Sequence, residues 1–318
     1  MKLDAIDRKL LSQMYQGYRN PISKIAKDCR ISRDKAEYRI KKYEQSGLIR
    51  KYMTVFNYNA LGYNEFVVVW LKFLRKDKKR ILTVLEKLDN RVSIGDVLGN
   101  YSLFLTLVIK DKADLEKTLY GLIRDSEDSI IDYNVFFVSN AELFPLKAFG
   151  SKKNVSSYKM VSSEKKIDID KLDWDIMKIL EQNGRTKIVD MSDKLNLSSE
   201  RLIYRLRKLR KNNIILGNRL LLDMKLIGFY FGIVTLKLID NLSDTRAKIS
   251  EFCKRNDYVN AVGFGFGTYN CFIQIMYSHE SEFRDTVDNI YTQFEDIISD
   301  SNIVLIGNEN MPKTLPYK

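Results

Sequence analysis

The sequence predicts an α+β fold in which two winged helix-turn-helix domains alternate with two ferredoxin-like βαββαβ domains. Three observations carry that expectation. Basic charge is concentrated in two blocks, those blocks align as an internal repeat, and within each repeat the apolar period changes from helical to alternating.

The 318 residues suffice for several cores, and 45% of them are hydrophobic. The formal net charge is +12, spread unevenly: +8 over residues 1–60, zero over 61–150, +2 over 151–170, +6 over 171–228 and −4 over 229–318. Such an excess favours an anionic partner, nucleic acid first. No apolar run approaches the roughly 20 residues of a membrane span, and Phe66–Leu71 reads as a strand. The start, Met1-Lys2-Leu3-Asp4, lacks the apolar core of a secretory signal, so a cytoplasmic protein without membrane contact is expected. Cys29, Cys253 and Cys271 are scattered and odd in number, which fits a reducing compartment and indicates neither a disulfide framework nor a zinc site.

A slide of 166 residues superimposes the basic blocks without a gap. Arg19 falls on Arg185, Ile22 on Ile188, Ser32 on Ser198, Tyr38 on Tyr204, Arg39 on Arg205, Ile49 on Ile215 and Gly62 on Gly228. Beyond them the shift becomes 168, with Gly99 on Gly267, Tyr101 on Tyr269, Phe104 on Phe272, Asp132 on Asp300 and Asn134 on Asn302. The change of shift implies a short insertion between the first strand and first helix of the later segment. The expected domains are 1–62 and 169–228 for the helix-turn-helix copies and 63–150 and 229–318 for the βαββαβ copies. Between the repeats, the Ser- and Lys-rich stretch 151–168 reads as a solvated linker.

Within the first block, Ile6, Leu10 and Met14 recur at helical spacing, as do Leu172, Ile176 and Leu180 in the second. A short helix follows near 21–29, where Pro21 suits a first turn and Ile25, Ala26 and Cys29 form the inner face. Its counterpart carries Ile188, Met191, Ser192 and Leu195. Ser32 and Ser198 then stand as N-caps of a third helix, about 33–46 or 199–212. Ala36, Ile40 and Tyr43, or Leu202, Leu206 and Leu209, face inward. The opposite face is polar and basic. Two helices joined by a tight turn, the second basic outside, form the helix-turn-helix pattern. The segments after it, Gly47–Tyr52 and Asn213–Arg219, read as hairpin wings.

The partner blocks read as strand, helix, strand, strand, helix, strand: Phe66–Phe73, Lys78–Leu88, Val92–Leu98, Tyr101–Lys110, Ala113–Arg124 and Ile130–Val138 in the first copy. The second runs Tyr230–Leu238, Thr245–Arg255, Tyr258–Phe266, Tyr269–Tyr277, Glu280–Phe294 and Ile303–Ile306. A sheet of this kind has edges that pair with another domain. A Gly-x-Tyr turn joins the central strands in both copies, either as an ordinary turn or as the rim of a ligand site. Gly263-Phe264-Gly265-Phe266-Gly267 lacks the spacing of a nucleotide loop and lies in a strand region.

Leu3-Asp4-x-x-Asp7-Arg8-Lys9-Leu10-Leu11, Ser32-Arg33, Tyr38-Arg39-Ile40-Lys41-Lys42-x-Glu44-x-x-Gly47-Leu48-Ile49, Leu61-Gly62-Tyr63 and Gly99-x-Tyr101 resemble the Lrp/AsnC (feast/famine) family of bacterial and archaeal regulators. The likeness covers nearly the whole chain, twice, and is weaker in the second copy, where Asn212-Asn213 replaces Ser-Gly. It implies RAM-type ligand-sensing domains, double-stranded DNA as partner, a chain that is its own pseudo-dimer, further homo-oligomers and a small effector such as an amino acid. It places Gly99, Tyr101, Ser102, Gly267, Tyr269 and Asn270 at the effector site. The family's Asp after Gly-x-Tyr is Ser102 here and Asn270 in the second copy, so either amino-acid sensing is lost or the ligand differs.

The residues assigned to DNA are Ser32, Arg33, Tyr38, Arg39, Lys41 and Lys42, with Ser198, Ser199, Arg201, Tyr204, Arg205, Arg207 and Lys208. Lys and Arg neutralise phosphates and release counterions, and capped helix starts fix the register on the duplex. Arg39 and Arg205 are expected to contribute to affinity and salt dependence. DNA compaction without sequence choice is an alternative, and a sirohaem decarboxylase-like enzyme a lesser one. No catalytic residue, metal or cofactor is expected: His279 is the lone histidine, and Glu295-Asp296 reads as solvated charge.

Overall fold

The computed structural model describes residues 1–126, 129–150, 158–161, 167–240, 242–310 and 312–315. In chain order the first repeat contributes α1 (Ala5–Gly17), α2 (Ile22–Cys29), α3 (Arg33–Gln45), β1 (Ile49–Phe56), β2 (Glu65–Phe73), α4 (Lys78–Glu86), β3 (Arg91–Leu98), β4 (Leu103–Ile109), α5 (Lys112–Asp125) and β5 (Ile130–Leu143). After a four-residue strand β6 (Tyr158–Val161), the second repeat contributes α6 (Lys171–Gln182), α7 (Ile188–Leu195), α8 (Ser199–Lys211), β7 (Ile215–Leu222), β8 (Tyr230–Leu238), α9 (Ser243–Arg255), β9 (Val259–Phe266), β10 (Cys271–Tyr277), α10 (Glu280–Phe294) and β11 (Ile298–Glu309). Most of the expected linker 151–168 falls outside the described residues. Among the described residues no helix is long and apolar enough to cross a membrane.

These elements form two compact units, and each unit draws on both repeats. One gathers Met1–Asn57 with Ile167–Tyr230 and the segment after β5; the other gathers Tyr58–Leu143 with Phe231–Lys318. The sequence suggests four domains in series, whereas in the structure like pairs with like. The reason lies in the strands, whose backbone groups need partners that a single repeat does not supply.

The helix-turn-helix unit shows this directly. Each repeat provides one strand after its third helix, and β1 pairs antiparallel with β7, so the expected hairpin wings are replaced by a two-stranded sheet shared between repeats. A hairpin needs a second strand and a tight turn, and here the chain passes instead into the turn Tyr58–Gly62. The register sets Met53 opposite Arg219. These are equivalent positions of the repeat, so a local pseudo-twofold axis passes between them. Around this sheet Leu10, Leu11, Met14, Ile25, Ala36, Ile40 and Leu48 are buried, as are Ile176, Met177, Met191, Leu202, Leu206 and Leu209. Phe149 and Phe229 pack with ring centres 5.1 Å apart and planes tilted at 60°, with the Arg8 guanidinium over both rings.

The second unit closes a sheet on itself. Each βαββαβ copy has the strand order β5-β2-β4-β3 or β11-β8-β10-β9, and β3–β11 and β5–β9 pairings join them into a ring of eight strands. The two junctions are equivalent: Leu98 faces Leu305, and Phe137 faces Phe266. This explains why β5 and β11 run past the ends read from sequence. Ile130–Val138 pairs with β2, and the extension to Leu143 pairs with the other copy's β9. Pairing also locates the length change. Val69 faces Val135 while Val234 faces Ile303, so β2 and β8 are offset by 165 residues. One residue is therefore lost before β8, and three are gained between β8 and β9.

One face of the first copy's sheet packs on helices, with Val67, Val69, Leu71, Leu103, Leu105 and Leu107 against Ile81, Leu85 and Leu122. The alternate residues Trp70, Val97, Phe104, Ile233 and Val304 pack together from both copies inside the ring. At roughly 1.5–3 kcal/mol per large side chain, burial outweighs any single polar contact at these junctions.

Candidate nucleic-acid interface

The turn between α2 and α3 opens with a left-handed residue, Arg30 at φ 58°, and Asn196 at φ 51° does the same between α7 and α8. The following chain bonds back, Ile31 to the Ala26 carbonyl and Leu197 to the Ser192 carbonyl, both at 3.0 Å. Ser32 then accepts from the Lys35 amide at 3.2 Å, and Ser198 from the Arg201 amide at 3.3 Å, so both reading helices begin capped. Both end at another left-handed residue, Gly47 (φ 75°) or Asn213 (φ 53°). Asparagine tolerates that conformation, which accounts for the departure from Ser-Gly in the second copy.

Burial of Ala36, Ile40 and Tyr43, or Leu202, Leu206 and Leu209, turns one side of each helix inward. The other side carries Ser32, Arg33, Tyr38, Lys41 and Lys42, or Ser198, Ser199, Arg201, Tyr204, Arg207 and Lys208, all exposed. Tyr38 and Tyr204 are 70% and 66% exposed, large aromatic rings with no cover at equivalent positions. Arg33 pairs with Glu37 at 2.7 Å along the helix surface. The helix α8 bears six basic residues and one acidic, against five and three in α3, so its field is the stronger.

Arg39 and Arg205 do not join these faces. Arg39 reaches back to the start of α1, donating to Asp4 at 2.9 and 3.0 Å and pairing with Asp7. Arg205 repeats the arrangement with Asp170 at 2.5 Å and Asp173 at 3.2 Å, and each arginine is 18% exposed. The two aspartates of the first copy also exchange amide bonds across the helix start, at 2.7 and 3.0 Å. Arg39 and these amides hold the Asp4 carboxyl at about 2, below the usual 3.8. Burial first, then the bond to Asp7, pushes the Tyr43 hydroxyl well above its ordinary range. The arginines are therefore clamps between the first and third helices. An Asp-x-x-Asp at the start of the first helix, with an arginine 32 residues after its second aspartate in both copies, is the sequence signal for this pairing.

Contacts across the β1–β7 sheet were also missed. Lys51 meets Glu181 at 2.7 Å, with the two side chains 12% and 4% exposed. Tyr18 donates to the Met53 carbonyl at 2.8 Å and meets Tyr52 edge-on.

In the second unit the Gly-x-Tyr turns prove to be junction pieces. Gly99 and Gly267 have φ of 147° and 154°, and a Cβ on them would lie 3.3 Å from the Ile303 carbonyl oxygen or 2.7 Å from that of Val135. Ser102 bonds to both the amide and the carbonyl of Phe73, at 3.3 and 3.2 Å. Asn270 does the same with Leu238 at 2.8 and 2.9 Å. Both side chains thus finish the neighbouring strand, with their polar atoms bonded to its backbone. Tyr101 packs beside Trp70 with ring centres 6.2 Å apart, and burial followed by Asp300 pushes the Tyr269 hydroxyl up. Among the described residues no His/Cys/Asp/Glu cluster could hold a metal ion. His279 precedes α10, its amide donating to Glu282 at 3.2 Å.

Capped reading helices with exposed basic faces, each behind a tight two-helix turn, define a DNA-binding helix-turn-helix protein. A winged helix-turn-helix DNA-binding model matches residues 3–50 and again 169–215. An uncharacterized HTH-type transcriptional regulator of Pyrococcus horikoshii is 31% identical over 124 residues, 39% of this chain and 83% of that protein. The regulatory protein AsnC of Haemophilus influenzae is 30% identical over 37% of this chain and 79% of its own length. The chain belongs to the Lrp/AsnC family of helix-turn-helix transcriptional regulators, with the DNA-binding motif present twice. The crystal structure of the siroheme decarboxylase NirDL has the same fold, with a TM-score of 0.64 at 14% identity over 96% of this chain and 92% of that one.

Proposed function

We propose that this chain regulates transcription as a covalent pseudo-dimer, gripping one duplex with two unlike helices, α3 and α8. The observation that carries the reading is the matched pair of exposed faces, Arg33, Tyr38, Lys41 and Lys42 against Arg201, Tyr204, Arg207 and Lys208, on the two halves of one unit joined by β1–β7. The lysines and arginines supply phosphate contacts, and the capping serines with the helix starts set the register. Tyr38 and Tyr204 lie flat against sugar and base edges. The operator has non-identical half-sites, because the helices differ. Small-molecule control belongs to the second unit, read through Tyr101 and Tyr269, since Ser102 and Asn270 are committed to backbone. Assembly beyond one chain uses Leu98 and Phe266, equivalent positions that are 63% and 64% exposed. The setting is cytoplasmic.

Fluorescence anisotropy of a genomic operator duplex over a salt series tests this reading. Tyr38→Ala with Tyr204→Ala should weaken binding without loss of thermal stability. Unchanged affinity in that double variant removes both helices from the interface. The ratio of operator to random-duplex affinity separates regulation from compaction, with about 10³ or more expected for regulation. The enzymatic alternative draws support from fold likeness alone, and the regulatory names of the relatives argue for a non-enzyme. Adding an iron tetrapyrrole should give no Soret band characteristic of a bound complex.

A further inference from the structure

Arg19 and Arg185 occupy one position of the repeat, and Glu44 and Arg210 another. Arg185 finds its partners in the first repeat. Its Nη1 lies 3.3 Å from Glu44 Oε1 and donates to the Tyr52 hydroxyl at 2.8 Å, while the guanidinium sits 5.1 Å from the Tyr52 ring centre. At the pseudo-symmetric place, Arg210 stands for Glu44 and Asn218 for Tyr52. The carboxylate, the phenol and the stacking ring are all replaced.

The pseudo-twofold register of β1–β7 therefore sets Arg19 toward a second guanidinium, Arg210, where Arg185 meets an acid. Among the described residues the Nη2 of Arg19 is buried without a hydrogen-bond partner. Burial disfavours its charge most, with Arg210 adding to that and neighbouring Tyr18, which also hydrogen-bonds the guanidinium, opposing it. A guanidinium nonetheless stays protonated in a protein, so the unmet donor cannot be relieved by losing a proton. An anion relieves it, by accepting from the buried donor and by separating two like charges. Two planar forks of N–H donors suit a tetrahedral oxyanion with several acceptor oxygens better than a single carboxylate.

We propose that Arg19 and Arg210 form an oxyanion site of the phosphate class, present on only one side of the pseudo-twofold axis. Two sources share that chemistry, a free phosphate or phosphorylated metabolite and a backbone phosphate of bound DNA. The site gives the helix-turn-helix unit an anion-dependent asymmetry that a homodimer cannot have.

Calorimetric titration of the full chain with inorganic phosphate, at ionic strength held constant with chloride, tests it without DNA. Wild type and Lys211→Glu should bind phosphate saturably. Arg210→Glu, which rebuilds the Glu44 arrangement, and Arg210→Gln should bind at least about tenfold more weakly with no fall in Tm. Competition between operator DNA and phosphate then marks the occupant as a backbone phosphate, and retention of phosphate on the DNA complex marks it as a free anion. Absence of saturable phosphate binding, or Arg210 variants that bind as wild type does, overturns the proposal and leaves the assignment of α3 and α8 untouched.

Discussion

The two places where a strand of one repeat meets the first helix of the other differ in kind. Where β1 meets α6 the contact is ionic, with Lys51 on Glu181 at 2.7 Å, and just past α6 Arg185 adds a second ion pair with Glu44 of α3 at 3.3 Å. Where β7 meets α1, Gly217 and Tyr15 take the places of Lys51 and Glu181. There Arg219 donates to the Tyr15 hydroxyl at 2.7 Å and lies 5.1 Å over its ring. In a homodimer every such contact occurs twice by symmetry. Once two copies share a chain, each crossing is free to change alone. The fold has kept its pseudo-twofold register while the side chains across it have not, and the same divergence separates α3 from the more basic α8.

The sharpest way to break this comparison is to empty one crossing at a time. Lys51→Met takes the paired ammonium away from the buried Glu181 carboxylate and should cost roughly 3–5 kcal/mol in urea unfolding, most of it recovered when Glu181→Leu is added. Arg219→Met exposes no buried charge and should cost about 1 kcal/mol. Equal losses would mean that the two crossings are energetically alike.

A second contrast lies in the closed sheet. Gly267→Ala pushes a Cβ to 2.7 Å from the Val135 carbonyl oxygen, Gly99→Ala only to 3.3 Å from that of Ile303, both at positive φ. The expected losses are about 3 and about 1 kcal/mol, read from the thermal transition of each variant. The reverse order would contradict the packing described at these junctions.

The clamps offer a smaller effect with a clear sign. Arg39→Ala or Arg205→Ala should lower stability by about 1–2 kcal/mol, since each arginine is mostly buried against two carboxylates. Neither should change the slope of log affinity against log salt, whereas Lys41→Ala or Arg207→Ala should each reduce it by about 1. A slope change in the clamp variants would return those arginines to the DNA face. Asp4 carries the smallest effect. Its folded value of about 2 lies below the unfolded 3.8, so its contribution is complete above about pH 4 and is lost as pH falls toward 2. Asp170 is lowered in the same sense by the Asp173 amide and Arg205. The acid limb of the Tm–pH curve between those values should flatten in Arg39→Ala.

Sequence pattern read most elements well because each carries its own local cause. Ser32 and Ser198 announce helix starts, and Ile40 or Leu206 recur with the helical period. What one repeat cannot show is a partner supplied by the other. The strand after α3 looks like half of a hairpin, β5 looks nine residues long, and Gly99-x-Tyr101 gives no sign of the strand that it abuts. Each is completed by the second copy, through β7, β9 and the Ile303 carbonyl. Arg39 was assigned to DNA because its helix is basic, yet helical position alone does not say whether a long side chain turns toward solvent or toward an acid on a neighbouring helix.

Selection of bound sequences from a randomised duplex pool, at low and moderate salt, measures the central claim directly. Two unlike reading helices within one chain predict a single bound chain per site and a non-palindromic consensus with distinct halves, its affinity falling steeply with salt. A palindrome with equivalent halves, or indifference to duplex DNA at low ionic strength, would contradict it.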